Sequence, residues 1–257
     1  MSVDLSIEKH VARVTIDRPD RMNAIDSEAE HRLQDIWIEL EGNRDVRCIV
    51  LTGAGDRAFS VGADMKDGGT DGLRYWAEPR PGGFGGIALR TTLNIPVIAR
   101  VNGYALGGGF EMVLGCDIVI AAEEAQFGLP EPRVGRLPLE GGMVRLPRLI
   151  PEKLAMGLLL TGNRLGAAEA LTLGLVNEVV PRDQLDDAVV RWVDDILACA
   201  PLSLRAIKQV VQRTAHMQLE EAQGQRLPAL IEALESEDGE EGVLAFREKR
   251  TPVWKGR

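Results

Sequence analysis

The sequence is poor in the residues that most enzyme chemistries draw on. It has three histidines, His10, His31 and His216, and three cysteines, Cys48, Cys116 and Cys199. None of them falls at metal-ligand spacing, which excludes a Cys/His zinc site. The cysteines are odd in number, far apart and set among apolar neighbours, so they read as small, buried, reduced thiols. Aromatics are scarce too, with four Trp, two Tyr and five Phe, too few for an array of base-stacking platforms. Positive charge is in deficit: 30 Lys and Arg against 39 Asp and Glu give a net charge of −9, which disfavours nucleic acid and anionic lipid as partners. No apolar run approaches the ~20 residues of a membrane span. The start, Met1-Ser2-Val3-Asp4, lacks the basic and apolar stretches of a signal peptide. A soluble, cytoplasmic chain of 257 residues, long enough for a large core, is expected. Carboxylates are what it has in plenty.

Along the chain the pattern is α/β. Leu5–Asp17 alternates as a hairpin with Ala12, Val14 and Ile16 on one face. Ser27-Glu28-Ala29-Glu30 has the form of a capping box opening a helix whose buried stripe is Leu33, Ile36, Trp37 and Leu40. Short apolar strands are expected at Val46–Thr52, Ile95–Val101, Asp117–Ala122 and Leu175–Val180, and helices around 151–160 and 166–173. Between them, residues 67–86 carry seven glycines and two prolines, the composition of a mobile or functional loop. From Arg182 only helical periodicity remains. Leu185, Ala188, Val189, Trp192, Val193 and Ile196 form one stripe. Leu204, Ile207, Val210 and Val211 form a second after Pro201, and a third helix covers roughly 219–235. The change to all-α falls near residue 190–200.

Three segments carry chemistry. Gly53-Ala54-Gly55-Asp56-Arg57-Ala58 fits a dinucleotide turn, but Ala58-Phe59-Ser60-Val61 does not read as the helix that turn requires. Gly62-Ala63-Asp64 and Gly107-Gly108-Gly109 bare backbone N–H groups, and one from each loop would make an oxyanion hole. Glu111 is the anomaly of the second segment. Its neighbours Phe110, Met112, Val113 and Leu114 leave the helix no polar face, so Glu111 is expected to be buried with a raised pKa. Glu131, between Pro130 and Pro132, reads equally as a rim residue and as a partner holding a water with Glu111. The tail 247–257 carries five basic residues and one acidic one, either a solvated end or a local anion site.

Taken together, Phe59–Lys66, Val101–Glu111 and Phe127–Glu131 resemble the three signature loops of the crotonase (enoyl-CoA hydratase/isomerase) superfamily, in order and at family spacing. The resemblance implies a crotonase-like spiral of ββα turns over residues 1–195 that carries the site. It implies a C-terminal helical region, 196–257, used for trimerisation as a trimer or dimer of trimers. By the same resemblance Ala63 and Gly108 supply the oxyanion amides, and Glu111 and Glu131 are the catalytic carboxylates. Coenzyme A, as part of a thioester substrate and not as a tightly bound cofactor, lies near Ala24, Ala63, Asp64 and Lys66, with Lys249 reaching its phosphates. No metal is implied. Retention of both glutamates points to hydration or dehydration of a 2-enoyl-CoA. Isomerisation of an enoyl-CoA and a non-catalytic CoA-binding role stand as alternatives. The Pro81-Gly82-Gly83-Phe84 loop and the ending Pro252-Val253-Trp254-Lys255-Gly256-Arg257 are most similar to those of the carnitinyl-CoA dehydratases. Glu140 departs from the family, which usually has a small residue there. An acidic side chain there either shapes the acyl pocket or meets a cationic acyl group, and Tyr75 and Trp76 read as loop packing or as a cation-binding wall.

Overall fold

The computed structural model describes residues 2–66, 72–78 and 80–257. Among these residues the strands are β1 (Val3–Glu8), β2 (Val11–Ile16), β3 (Cys48–Gly53), β4 (Ala58–Ser60), β5 (Val97–Val101), β6 (Tyr104–Leu106), β7 (Ile118–Ala122), β8 (Gln126–Gly128), β9 (Arg164–Gly166) and β10 (Glu178–Val180). The helices are α1 (Ser27–Gly42), α2 (Gly72–Ala77), α3 (Gly108–Gly115), α4 (Gly142–Leu149), α5 (Glu152–Thr161) and α6 (Ala167–Thr172), followed by α7 (Leu185–Leu197), α8 (Pro201–Thr214), α9 (Leu219–Gln223), α10 (Pro228–Leu234) and α11 (Glu237–Glu248).

Two sheets organise the chain. The larger runs β1-β2-β3-β5-β7-β10, antiparallel only at the β1–β2 hairpin. Parallel strands covered on both faces read as continuous apolar runs, and β3 is buried at every position. Its alternate residues serve two cores. Ile49 and Leu51 join Trp37, Phe59 and Phe110 on one side. Cys48 and Val50 face the α7 stripe of Leu185, Ala188, Val189, Val193 and Ile196 on the other. The smaller sheet, β4-β6-β8-β9, stacks three short parallel strands beside one another and closes with β9 antiparallel.

Several local expectations are corrected. The segment 53–58 leads into β4 and not a helix, in keeping with its sequence and against a dinucleotide turn. Asp26, not Ser27, caps α1: its carboxylate accepts the Ala29 amide at 2.9 Å, and Glu30 is turned inward instead of back toward the cap. Helix α2 occupies part of the glycine-rich stretch; residues 67–71 and 79 of that stretch lie outside the described residues. Helix α4 was not legible because Pro147 sits inside it. The third C-terminal helix is two, α9 and α10, with α11 after them. Only Cys48 is a fully buried thiol; Cys116 is partly buried and Cys199 exposed. The α8 stripe is split, with Ile207 and Val211 exposed on the single chain.

Helix α8 is fixed to the larger sheet by a charge pair whose lysine is buried. Lys208 Nζ donates to Asp117 Oδ2 at 2.6 Å and to the Ile95 carbonyl at 2.8 Å. After α11 the tail folds back. Asp238, fully buried, accepts the amides of Lys255 and Gly256, and Trp254 Nε1 donates to the Ala198 carbonyl. Much of the tail's positive charge is spent here: Arg250 pairs with Glu241 and Glu248, and Lys255 and Arg257 pair with Glu237. Arg247 and Lys249 have no ion pair among the described residues.

Candidate active site

Strands β4, β6 and β8 are parallel neighbours, so their carboxyl ends lie side by side. The three segments singled out in the sequence begin at those ends: Val61-Gly62-Ala63 after β4, Gly107-Gly108 after β6, and Leu129-Pro130-Glu131 after β8. This is where an α/β sheet places its ligand. The packing leaves no room for larger residues. A Cβ on Gly62, whose φ is +86°, would lie 2.9 Å from the Gly108 nitrogen. One on Gly109 would meet the Ser60 carbonyl at 2.2 Å. Glycine is required because the two loops touch through their backbones.

That contact brings the Ala63 and Gly108 amides together. Ala63 sits in a parallel bridge with Ile25, in which Ile25 N donates to the Gly62 carbonyl and Asp64 N to the Ile25 carbonyl, both at 2.8 Å. The intervening Ala63 N–H therefore points away from the bridge. Gly108 is the first residue of α3, where the N–H has no acceptor within the helix. Among the described residues neither amide donates a hydrogen bond, and the second lies at a helix N-terminus that favours negative charge.

Glu111 enters from the first turn of α3 and is 3% exposed. Its Oε1 accepts the backbone amides of Glu140 at 2.8 Å and Gly142 at 2.9 Å. Burial raises its pKa to about 8, against the lowering effect of the Gly142 amide; the neighbouring Glu131 and Glu140 charges add to the rise, and the Glu140 amide lowers it. Glu131, at the start of a short 3-10 turn, brings its carboxylate close to Gly107. Burial lifts its pKa to about 7. Its Oε2 atom is buried and has no hydrogen-bond partner among the described residues. Two carboxyl groups that both titrate near neutrality and repel one another carry about one proton between them, and that proton belongs to the pair. Such a pair can give and take a proton at pH 7.

Linkage fixes the sign of one consequence. The folded state holds a proton on Glu111 up to a pH of about 8, whereas the unfolded chain releases it near 4.5. The contribution to stability is fully present below pH 4.5 and is lost as pH rises through 8. Urea denaturation should show wild type losing stability relative to Glu111→Gln between pH 5 and pH 8, by on the order of a few kcal/mol. A pH-independent difference would mean that Glu111 is ionised throughout.

The residues expected near coenzyme A gather beside this site. Ala24, 6% exposed, adjoins the Ile25–Ala63 bridge. Arg18 donates to the Ala24 carbonyl and to Asp64 Oδ2, and also pairs with Asp26. The Lys66 amide donates to Asp64 Oδ1 at 3.1 Å, and the Lys66 side chain is exposed. Lys249, in left-handed conformation at the end of α11, makes no described contact with these four residues. The charged groups missed in the sequence are Arg18 and Glu30. Only Arg18 carried a signal, its place next to Pro19 at the end of the first hairpin.

Comparison with known proteins gives the group. Residues 6–257 match the model of the family described as enoyl-CoA hydratase/isomerase. The chain belongs to the crotonase family. It is 39% identical over 260 residues to a carnitinyl-CoA dehydratase of Escherichia coli K12, covering 100% of this chain and 99% of the relative. It is equally similar, over 263 residues and the full length of both chains, to a carnitinyl-CoA dehydratase of Citrobacter koseri. Among solved structures, an enoyl-CoA hydratase of Bacillus anthracis aligns over both whole chains at 32% identity with a TM-score of 0.91. One from Mycobacterium tuberculosis, also 32% identical, aligns over 100% of this chain and 99% of its own with a TM-score of 0.90. The two-sheet fold is thus that of the crotonase family. Among the described residues no cluster of side chains could hold a metal ion, and no helix is long and apolar enough to cross a membrane.

Proposed function

We propose that this crotonase-family chain is a hydro-lyase that adds water to, or removes it from, the 2,3-double bond of a 2-enoyl-CoA thioester. The observation that carries the reading is the pair of Glu111, buried, and Glu131, half-buried, both titrating near neutrality and set against the Ala63 and Gly108 amides. The Ala63 and Gly108 N–H groups donate to the thioester oxygen and stabilise the negative charge that develops there. The ionised member of the glutamate pair takes a proton from water as the water oxygen bonds to the β-carbon. The protonated member delivers its proton to the α-carbon, on the same face. The pair ends with its single proton exchanged, and dehydration is the reverse. Glu131 Oε2, without a protein partner, has an open position for a water.

Ala24, Ala63, Asp64 and Lys66 line the path of coenzyme A. Lys249 would meet its phosphates from a neighbouring subunit, with the helices of residues 196–257 building the trimer. The apolar residues exposed there, Ile207, Val211, Leu219, Leu234 and Phe246, suit such a contact. Three unpaired cysteines fit the reducing cytoplasm. The carnitinyl-CoA dehydratase relatives favour a 4-trimethylammonio acyl group, the carnitinyl/crotonobetainyl pair. The test is a panel of 2-enoyl-CoA thioesters, neutral and cationic, assayed for a hydrated product. Conversion of a 3-enoyl-CoA without hydration would favour the isomerase alternative.

A further inference from the structure

One carboxylate has no part in this chemistry. Glu30, one turn into α1, is 7% exposed. Its Oε2 accepts the Gly85 amide at 3.0 Å, while its Oε1 is buried without a hydrogen bond. It lines a cavity of about 260 Å³ together with Ser27, His31, Gln34, Arg80 and Pro81. That volume is too small for a whole ligand of drug size but ample for the end of an acyl group. A buried carboxylate oxygen facing a cavity asks for a donor or a cation.

The surroundings favour a cation. Glu140 adds negative charge to Glu30 and sits against Gly83 on the same loop, and the buried Tyr75 hydroxyl lies within the field of both carboxylates. The present counter-charge is Arg80. Its guanidinium is 3.8 Å from Glu30 Oε1, too far for a hydrogen bond, and lies 4.5 Å from the centroid of the Tyr75 ring. A carboxylate and an aromatic face around one cation form the arrangement that recognises ammonium groups. Arg80 is 39% exposed at its side chain, so it can leave for solvent.

The loop 82–86 joins this cavity to the thioester site. Phe84 packs on Gly108, the proposed oxyanion donor, and the next residue, Gly85, is the one held by Glu30. Gly85 is also gripped by Trp37 Nε1 at its carbonyl, at 2.7 Å. Phe84 and Gly85 thus lie between the Gly108 amide and the Glu30 carboxylate.

Building on the enoyl-CoA reading above, we propose that the Glu30 cavity binds a positively charged acyl terminus, and that Arg80 occupies this place in the free protein as a displaceable plug. Glu30 and Arg80 would then set the specificity for the acyl group.

The test uses binding alone, by calorimetry on the full chain with two saturated thioesters of the same shape. These are 4-(trimethylammonio)butanoyl-CoA and its neutral counterpart 5,5-dimethylhexanoyl-CoA. Wild type should prefer the cationic ligand by tenfold or more. Glu30→Gln, whose side-chain oxygen can still accept the Gly85 amide, should bring the ratio of the two dissociation constants close to one. Arg80→Ala should tighten the cationic ligand and not the neutral one. Equal binding of the two ligands by wild type, no binding of either, or a preference that survives Glu30→Gln would overturn the proposal. Neither ligand has a double bond to hydrate, so these results are independent of turnover. A hydratase that fails here loses only the subsite, and a chain that hydrates no enoyl-CoA loses the reading beneath it.

Discussion

Glu131→Gln is expected to lower kcat for water addition to a 2-enoyl-CoA by about 10²- to 10⁴-fold, the loss typical of a positioned acid/base group. Glutamine keeps the volume and an accepting oxygen, so the β8 loop should retain its shape; what disappears is the ability to exchange a proton at neutral pH. Glu111→Gln should behave in the same way. Both backbone donors, Glu140 and Gly142, fall on Oε1, and an amide oxygen can accept both. The two single losses should not add in the double variant, because one proton serves the pair. Initial rates with crotonyl-CoA, alongside binding of a saturated acyl-CoA to show that the site still fills, separate lost chemistry from lost binding. Activity within a few-fold of wild type in either variant would remove that glutamate from the proton transfer.

Gly108→Ala should cost about 10²- to 10³-fold in kcat, the scale of one lost oxyanion donor. The added Cβ would lie 2.5 Å from the Phe84 ring, closer than real contacts allow. The ring or the start of α3 has to move, and the Gly108 amide with them. Gly62→Ala should act on the same donor from the other side, since its Cβ would press on the Gly108 nitrogen at 2.9 Å from a backbone at φ +86°. Rates measured at saturating substrate are the readout, because an interaction realised in the transition state lowers kcat and leaves KM little changed. An unchanged kcat in both variants would mean that the charge on the thioester oxygen is stabilised elsewhere.

Much of this site was legible because burial leaves a pattern. Glu111 stood out from a helix apolar on every side, and its burial follows from that pattern alone. The glycines of the two loops were legible as turns, but the reason they must be glycine is the Gly62–Gly108 contact between segments more than forty residues apart. Periodicity within one segment carries no trace of such a contact. Glu131 reads two ways in the sequence because its prolines fix the backbone without saying which way the side chain points. Glu30 was misread as half of a capping box. Local spacing matched, but Asp26 caps the helix and a long-range bond to the Gly85 amide turns Glu30 into the interior. Helix α4 was hidden by Pro147, and the two amides it and Glu140 present to Glu111 were hidden with it. Elements whose reason lies within their own sequence were readable, and groups placed by a distant loop were not.

The central claim is that Glu111 and Glu131 move the proton of water addition across an enoyl thioester. The most direct measurement is the product formed from crotonyl-CoA in ¹⁸O-labelled water, by wild type and by the Glu111→Gln/Glu131→Gln variant, identified by mass. The account predicts a 3-hydroxyacyl-CoA carrying one label from wild type and none above background from the variant. Labelled product from the variant at the wild-type rate, or no hydrated product from wild type with any thioester of the panel, would contradict it.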